Sequence, residues 1–130
     1  MNFTGQILLV DDEAHIRKFV ALILKQLGIS RIREAGNGEE ALAAYQADRP
    51  RIVLLDVNMP RMDGIETLKK LKELDPDCVV IMLTSLANRE TVERALELGA
   101  ANYIRKDTPK EEIAKALSET IEACSGNQES

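Results

Sequence analysis

Three short stretches of the chain are apolar without alternation: Ile7-Leu8-Leu9-Val10, Ile52-Val53-Leu54-Leu55 and Cys78-Val79-Val80-Ile81-Met82-Leu83. A run of this length with no polar face reads as a strand covered on both sides, as in a parallel sheet. The first run leads into Asp11-Asp12-Glu13, the second into Asp56 and the third into Thr84-Ser85. Pro60 has no N–H to continue a ladder. Asp56 is therefore expected at the carboxyl end of a buried central strand, where the chain leaves the sheet.

Between these runs the apolar spacing changes to that of a helix. Ile16, Phe19, Val20, Ile23, Leu24 and Leu27 recur at helical intervals, and Gly28 supplies the stop. Ile29 to Ala35 is a more polar strand candidate, as an outer strand would be. Gly36-Asn37-Gly38 is turn chemistry, and Ala41, Leu42 and Tyr45 mark one face of a short helix. Asp63 is a plausible N-cap for a third helix with Ile65, Leu68 and Leu71 inward, ended by Pro76. A fourth helix is predicted over about Asn88 to Leu98, with Val92, Ala95 and Leu96 inward and Gly99 closing it. Ala101 to Arg105 reads as a fifth strand. Thr108-Pro109-Lys110-Glu111 combines a capping box with a first-turn proline, opening a last helix that Ile113, Leu117, Ile121 and Cys124 carry inward. Residues 1–125 read as one domain and 126–130 as a polar tail.

Strand alternates with helix five times, which predicts an α/β fold with a doubly wound, five-stranded parallel sheet. Five units in this length suit the flavodoxin-like strand order 2-1-3-4-5, whose ligands bind at the carboxyl edge, at the switch point between the first and third strands.

Composition narrows the function. A net charge of −5 over 130 residues gives no basic stripe for nucleic acid. No apolar run approaches the roughly 20 residues that span a bilayer. The start, Met-Asn-Phe-Thr-Gly-Gln, lacks the basic and apolar regions of a signal peptide. Cys78 and Cys124 share no motif and read as free thiols of a cytoplasmic protein.

The polar residues at the strand ends fall on one edge: Asp11 and Asp12, Asp56, Thr84 and Lys106. Three gathered carboxylates repel one another, so their pKa values rise unless a cation intervenes. Hard oxygen ligands without His or Cys favour Mg²⁺, with a backbone carbonyl in the next loop, that of Asn58, able to complete the shell. A carboxylate beside a metal, a lysine and a hydroxyl is equipped to attack phosphorus in line. Taken singly these residues have plainer readings: Asp11 and Asp12 suit the positive end of a helix, Lys106 a solvated surface, Tyr103 a packed strand aromatic. His15 reads as a solvated helix-start residue, Glu13 as rim, and the charges of the fourth helix as a solvated face.

The motifs Leu9-Val10-Asp11-Asp12, Leu55-Asp56-Val57-Asn58-Met59-Pro60 with Met62-Asp63-Gly64, Leu83-Thr84-Ser85, Gly99-Ala100 and Tyr103-Ile104-Arg105-Lys106 stand in order from about Gln6 to Cys124. In this order the chain resembles the receiver domain of bacterial two-component response regulators, the CheY-like family. The resemblance implies that Asp56 is the phosphoacceptor and that Asp11, Asp12 (the direct ligand ahead of Asp11), Asp56 and the Asn58 carbonyl hold Mg²⁺. It further implies that Lys106 contacts the phosphoryl oxygens, and that Thr84 and Tyr103 form the switch. The implied donor is a sensor histidine kinase or phosphotransfer protein. The implied reader is a downstream effector protein or fused output domain, through the fourth helix, fifth strand and last helix of a monomer or phosphorylation-dependent homodimer. Such a chain is not an enzyme acting on an outside substrate, and binds neither nucleic acid nor membrane directly. Leu86, two residues beyond Thr84, is apolar and would limit the approach of attacking water. One departure stands out: the family usually has a cis proline after the lysine, whereas Asp107 follows Lys106. A cis non-proline bond costs about 2.5–4 kcal/mol, so this loop is either trans or strained.

Two other classes fit less well. A Mg²⁺-dependent phosphohydrolase working through an aspartyl phosphate usually has a second acid two positions after the nucleophile, where this chain has Asn58, and a cap domain. A flavodoxin-like cofactor binder needs a phosphate loop where Asp11-Asp12-Glu13 would repel phosphate.

Overall fold

The computed structural model describes residues 4–85 and 88–126. Strands and helices alternate as β1 (Ile7–Val10), α1 (Ala14–Gln26), β2 (Ile32–Ala35), α2 (Gly38–Asp48), β3 (Ile52–Leu55), α3 (Gly64–Leu74), β4 (Val79–Thr84), α4 (Arg89–Glu97), β5 (Asn102–Arg105) and α5 (Lys110–Gly126). The sheet is parallel throughout in the order β2-β1-β3-β4-β5, as the apolar runs predict. Ile7 of β1 stands opposite both Ile32 and Ile52, so the ends of β1 and β3 are level.

The two-residue period of the strands divides the core. Leu8, Val10, Val53, Leu55, Val80 and Met82 meet Ala41, Tyr45, Leu68, Leu71 and Ala95 on one face. Ile7, Leu9, Ile52, Leu54, Ile81 and Leu83 meet Val20, Ile23, Leu24, Ile113, Leu117 and Ile121 on the other. The chain reverses its direction across the sheet after β2, so crossovers of one hand put α1 on one face and α2, α3 and α4 on the opposite one. β2, at the edge, is the least buried strand, as its polar composition implies.

Local signals hold at most helix ends. Gly28 follows α1 at φ +91, Asp63 accepts the Glu66 N–H at 2.9 Å, and Asn88 caps α4. At α2 the turn is a reciprocal cap: Asn37 accepts from Glu40 N–H at 2.8 Å, and Glu40 reaches back to Gly36 N–H at 2.8 Å. Three expectations change. Leu96 is half exposed (50%), because α4 is a nine-residue helix that buries only the strip around Ala95, and Leu96 lies about 100° away from it. Phe19 is also exposed, at 41%. The first carbonyl acceptor of α5 is that of Pro109, bonded by Ile113 N–H at 3.0 Å, so the proline stands at the helix threshold and not inside the first turn. Both cysteines are free thiols, and among the described residues no helix is long and apolar enough to cross a membrane. Leu86 and the tail residues 127–130 lie outside the described residues.

The far ends of α2 and α3 are tied by one buried aromatic. Tyr45 donates its hydroxyl to Asp75 Oδ2 at 2.7 Å, while the Arg49 guanidinium lies 5.4 Å from its ring centroid. The Tyr45 hydroxyl, with the Asp77 N–H behind it, lowers the Asp75 pKa. A carboxylate depressed in the fold stabilises above its unfolded pKa and loses that contribution as pH falls through its folded value. Tyr45→Phe is expected to cost about 1–2 kcal/mol at neutral pH. Urea melts at several pH values should show the wild-type advantage shrinking below about pH 4 as Asp75 protonates.

Candidate functional site

At the carboxyl edge the backbone leaving the strands ties them in pairs, β1 to β2, β3 to β1 and β5 to β4. Asp11 N–H donates to Ala35 O at 3.1 Å, Asp56 N–H to Val10 O at 3.0 Å and Lys106 N–H to Thr84 O at 3.0 Å. Each polar residue predicted at a strand end is thereby held at one edge, beside the β1/β3 switch point. Asp11, Asp56 and Thr84 are buried there, while Asp12 is exposed.

Lys106 is the internal cation of this cluster. Its Nζ pairs with Asp11 Oδ2 and lies 3.3 Å from Asp56 Oδ2. Burial works to lower the lysine pKa, but the bond to Asp11 and the charges of Asp56 and Asp11 outweigh it and hold the ammonium above its ordinary value. Asp56 moves up as well: burial dominates, and Asp11 adds to it against the opposing Thr84 hydroxyl and Lys106. The Asp56 Oδ1 atom is buried and has no hydrogen-bond partner.

Carboxylate oxygens of Asp11, Asp12 and Asp56 lie within 4.8 Å of one another. The set is all hard oxygen, and Mg²⁺ takes one or two carboxylates with waters. An orphaned buried oxygen on Asp56 and an exposed carboxylate on Asp12 fit that ion. Asn58 is exposed in the loop after β3. Tyr103 is half-buried against the core on the α2, α3 and α4 side; burial raises its phenol pKa first, and the negative charge of Asp56 second.

The remaining expectations are placed as follows. His15 is solvated, its side chain 75% exposed, and Glu13 is exposed at the start of α1. The Lys106–Asp107 peptide is trans, like every peptide bond among the described residues. Asp107 instead forms a two-pronged pair with Arg105 at 3.0 and 2.6 Å. Two supporting residues escaped the sequence reading. Arg17 reaches back from α1 to the Asp11 carbonyl; an arginine beside an inward-facing isoleucine, one turn past an acidic strand end, is the signal that marks it. Gly64 lies against the Asp56 backbone, where a Cβ would come within 2.0 Å of the Asp56 carbonyl oxygen, and its N–H donates to Val57 O at 2.8 Å.

Comparison with known proteins agrees with this geometry. The chain matches the response regulator receiver domain family over residues 7–118. Chemotaxis protein CheY of Bacillus subtilis is 34% identical over 116 residues, which covers 89% of this chain and 97% of that protein. Protein-glutamate methylesterase/protein-glutamine glutaminase 1 of Paramagnetospirillum magneticum is 39% identical over 112 residues, 84% of this chain but 29% of that longer protein. Among solved structures, a chain of the CheX–CheY–BeF3–Mg²⁺ complex from Borrelia burgdorferi superposes with a TM-score of 0.83 at 32% identity, covering 88% of this chain and 87% of that one.

Three outcomes are expected from this geometry. Gly64→Ala should push α3 away from the strand end that carries Asp56 and cost about 1–3 kcal/mol, read as a lower urea midpoint at unchanged slope. Asp56 has a folded pKa above its unfolded one, so its contribution to stability is present at low pH and lost as pH rises through the carboxylate range. In Mg²⁺-free buffer at pH 7, Asp56→Asn, which removes the ionised buried carboxylate and leaves Lys106 its pair with Asp11, should therefore be more stable than wild type. Adding Mg²⁺ at ten times its Kd should raise the wild type by about 1.4 kcal/mol and the variant by less; thermal melts check both.

Proposed function

Because the chain belongs to the response regulator receiver domain family, we propose that it is a phosphorylatable switch of a two-component phosphorelay, with Asp56 as the phosphoacceptor. The observation that carries this reading is the buried Asp56 carboxylate, one oxygen shared with Lys106 and the other without a partner. A sensor histidine kinase or a phosphotransfer protein is the donor. An Asp56 oxygen forms a bond to phosphorus as the bond from phosphorus to the donor's imidazole nitrogen breaks.

Asp11, Asp12, Asp56 and the Asn58 carbonyl would hold Mg²⁺, which when bound neutralises charge on the phosphoryl oxygens. The BeF3 and Mg²⁺ named for the Borrelia burgdorferi complex support this, since BeF3 on a carboxylate mimics a phosphoryl group. Lys106 turns from Asp56 to the phosphoryl oxygens and stabilises the charge spread over them in transfer. Asp11 keeps that ammonium charged and aimed into the site.

Thr84 and Tyr103 form the switch. The Thr84 hydroxyl, which hydrogen-bonds the Asp56 side chain, follows the new phosphoryl oxygens, and Tyr103 rotates inward beside it. A phosphoryl group adds roughly −1.5 to −2 charge and three acceptor oxygens, enough to bias a two-state element. The output face is α4, β5 and α5, read by a downstream effector protein or a fused output domain, with the chain a monomer or a phosphorylation-dependent homodimer in the cytoplasm. The domain acts as a signalling module and not on an outside substrate, and its net charge of −5 gives it no direct part in nucleic-acid binding.

Intact mass after incubation with acetyl phosphate tests the proposal. One added phosphoryl group is expected with Mg²⁺, and none without Mg²⁺ or in Asp56→Asn. An adduct that persists in Asp56→Asn, or no adduct in wild type, would overturn it.

A further inference from the structure

Arg17 lies one turn into α1 and takes no part in the phosphoryl chemistry above. Its side chain is only 19% exposed. Nε donates to Glu34 Oε1 at 2.8 Å, and Nη1 donates to the backbone carbonyl of Asp11 at 2.6 Å. A guanidinium gains most from a carboxylate, and three carboxylates lie at this sheet edge, yet this one spends its second donor on a carbonyl.

That carbonyl shares a rigid peptide plane with the N–H of Asp12. Asp11 itself is restrained from other directions: its N–H donates to Ala35 O at 3.1 Å, its Oδ1 accepts from Glu13 N–H at 2.9 Å, and its Oδ2 pairs with Lys106. Asp12 is exposed, but its carboxylate reaches the other two. The tilt of the Asp11–Asp12 peptide decides where that carboxylate points, and Arg17 grips the oxygen that sets the tilt. Glu34, on β2, takes the Nε donor and fixes the guanidinium as its carboxylate partner.

We infer that Arg17, held by Glu34, is a positioning residue that aims Asp12 at the cation and so sets the divalent-cation affinity of the site. The inference rests on the proposed function in taking Mg²⁺ as that cation. Charge alone predicts the opposite sign, because deleting a nearby positive group should tighten the hold on Mg²⁺. Positioning predicts a weaker hold, since removing an outer partner of a metal ligand typically costs roughly 10–100-fold in affinity.

The experiment is a MgCl2 titration of the full chain followed by amide NMR shifts, on wild type, Arg17→Met, Glu34→Gln and the double variant, with acetyl phosphate labelling run alongside. The Kd of Arg17→Met should rise about tenfold. Glu34→Gln should rise as well, and the double variant should be no weaker than Arg17→Met alone, because the pair acts as one unit. An unchanged or lower Kd in a folded Arg17→Met overturns the inference. Should Arg17→Met fail to fold, Arg17→Lys, which keeps the charge but loses the two-point grip on Glu34 and the Asp11 carbonyl, carries the test, and an unchanged Kd there overturns it. A wild type that binds Mg²⁺ but takes no phosphoryl group overturns the phosphorelay reading while leaving this comparison standing. A wild type that binds no Mg²⁺ overturns both.

Discussion

Asp56 carries its carboxylate at a place where only 3% of the residue meets water, and the rest of the site answers to that constraint. A buried carboxylate must be paired, hydrogen-bonded or protonated. Lys106 supplies the pairing, but it divides itself between Asp56 and Asp11. One Asp56 oxygen is left without a partner, and the pKa rises because burial outweighs the help from Thr84 and Lys106. The edge is thus short of positive charge by construction, which is the property the proposed function draws on.

Holding three acids together against their repulsion requires a scaffold that does not yield. The parallel sheet provides it, since β1, β3, β4 and β5 end at one edge and adjacent backbones lock strand ends in pairs. The helices then press on the same edge from both faces. Gly64 lets the start of α3 approach the Asp56 backbone closer than any side chain would permit, and Arg17 reaches in from α1 to the Asp11 carbonyl. Asp63 caps α3, as its place in the sequence predicts.

Thr84 and Tyr103, the proposed switch, differ from the acids in how firmly they are held. Thr84 is fully buried at the end of β4, whereas Tyr103 is half-buried on β5. The phenol senses Asp56 through its charge while its ring rests against the core of the α2, α3 and α4 face. The same asymmetry makes α4 the least anchored helix in this part of the fold: Ala95 is its sole buried residue and Leu96 is turned outward.

Strand identity, sheet direction, strand order and the acids at the strand ends were all legible in the chain, because each depends on short-range periodicity and on which residue closes an apolar run. The N-cap of α3 and the stop of α1 were legible for the same reason. Helix faces at the margin were less so: the spacing that marks Leu96 as apolar does not say how wide a strip a short edge helix can bury. The trans geometry after Lys106 and the Arg105–Asp107 pair depend on how the chain turns back from β5. Arg17 and Gly64 were harder to read as supports of the site, since their partners are backbone carbonyls, which every residue carries. The sequence by itself determined which groups reach the edge. Only the tertiary structure decided that Asp11 and Asp56 share Lys106 and that Arg17 grips the Asp11 carbonyl, because those contacts form between segments that meet only once the sheet has assembled.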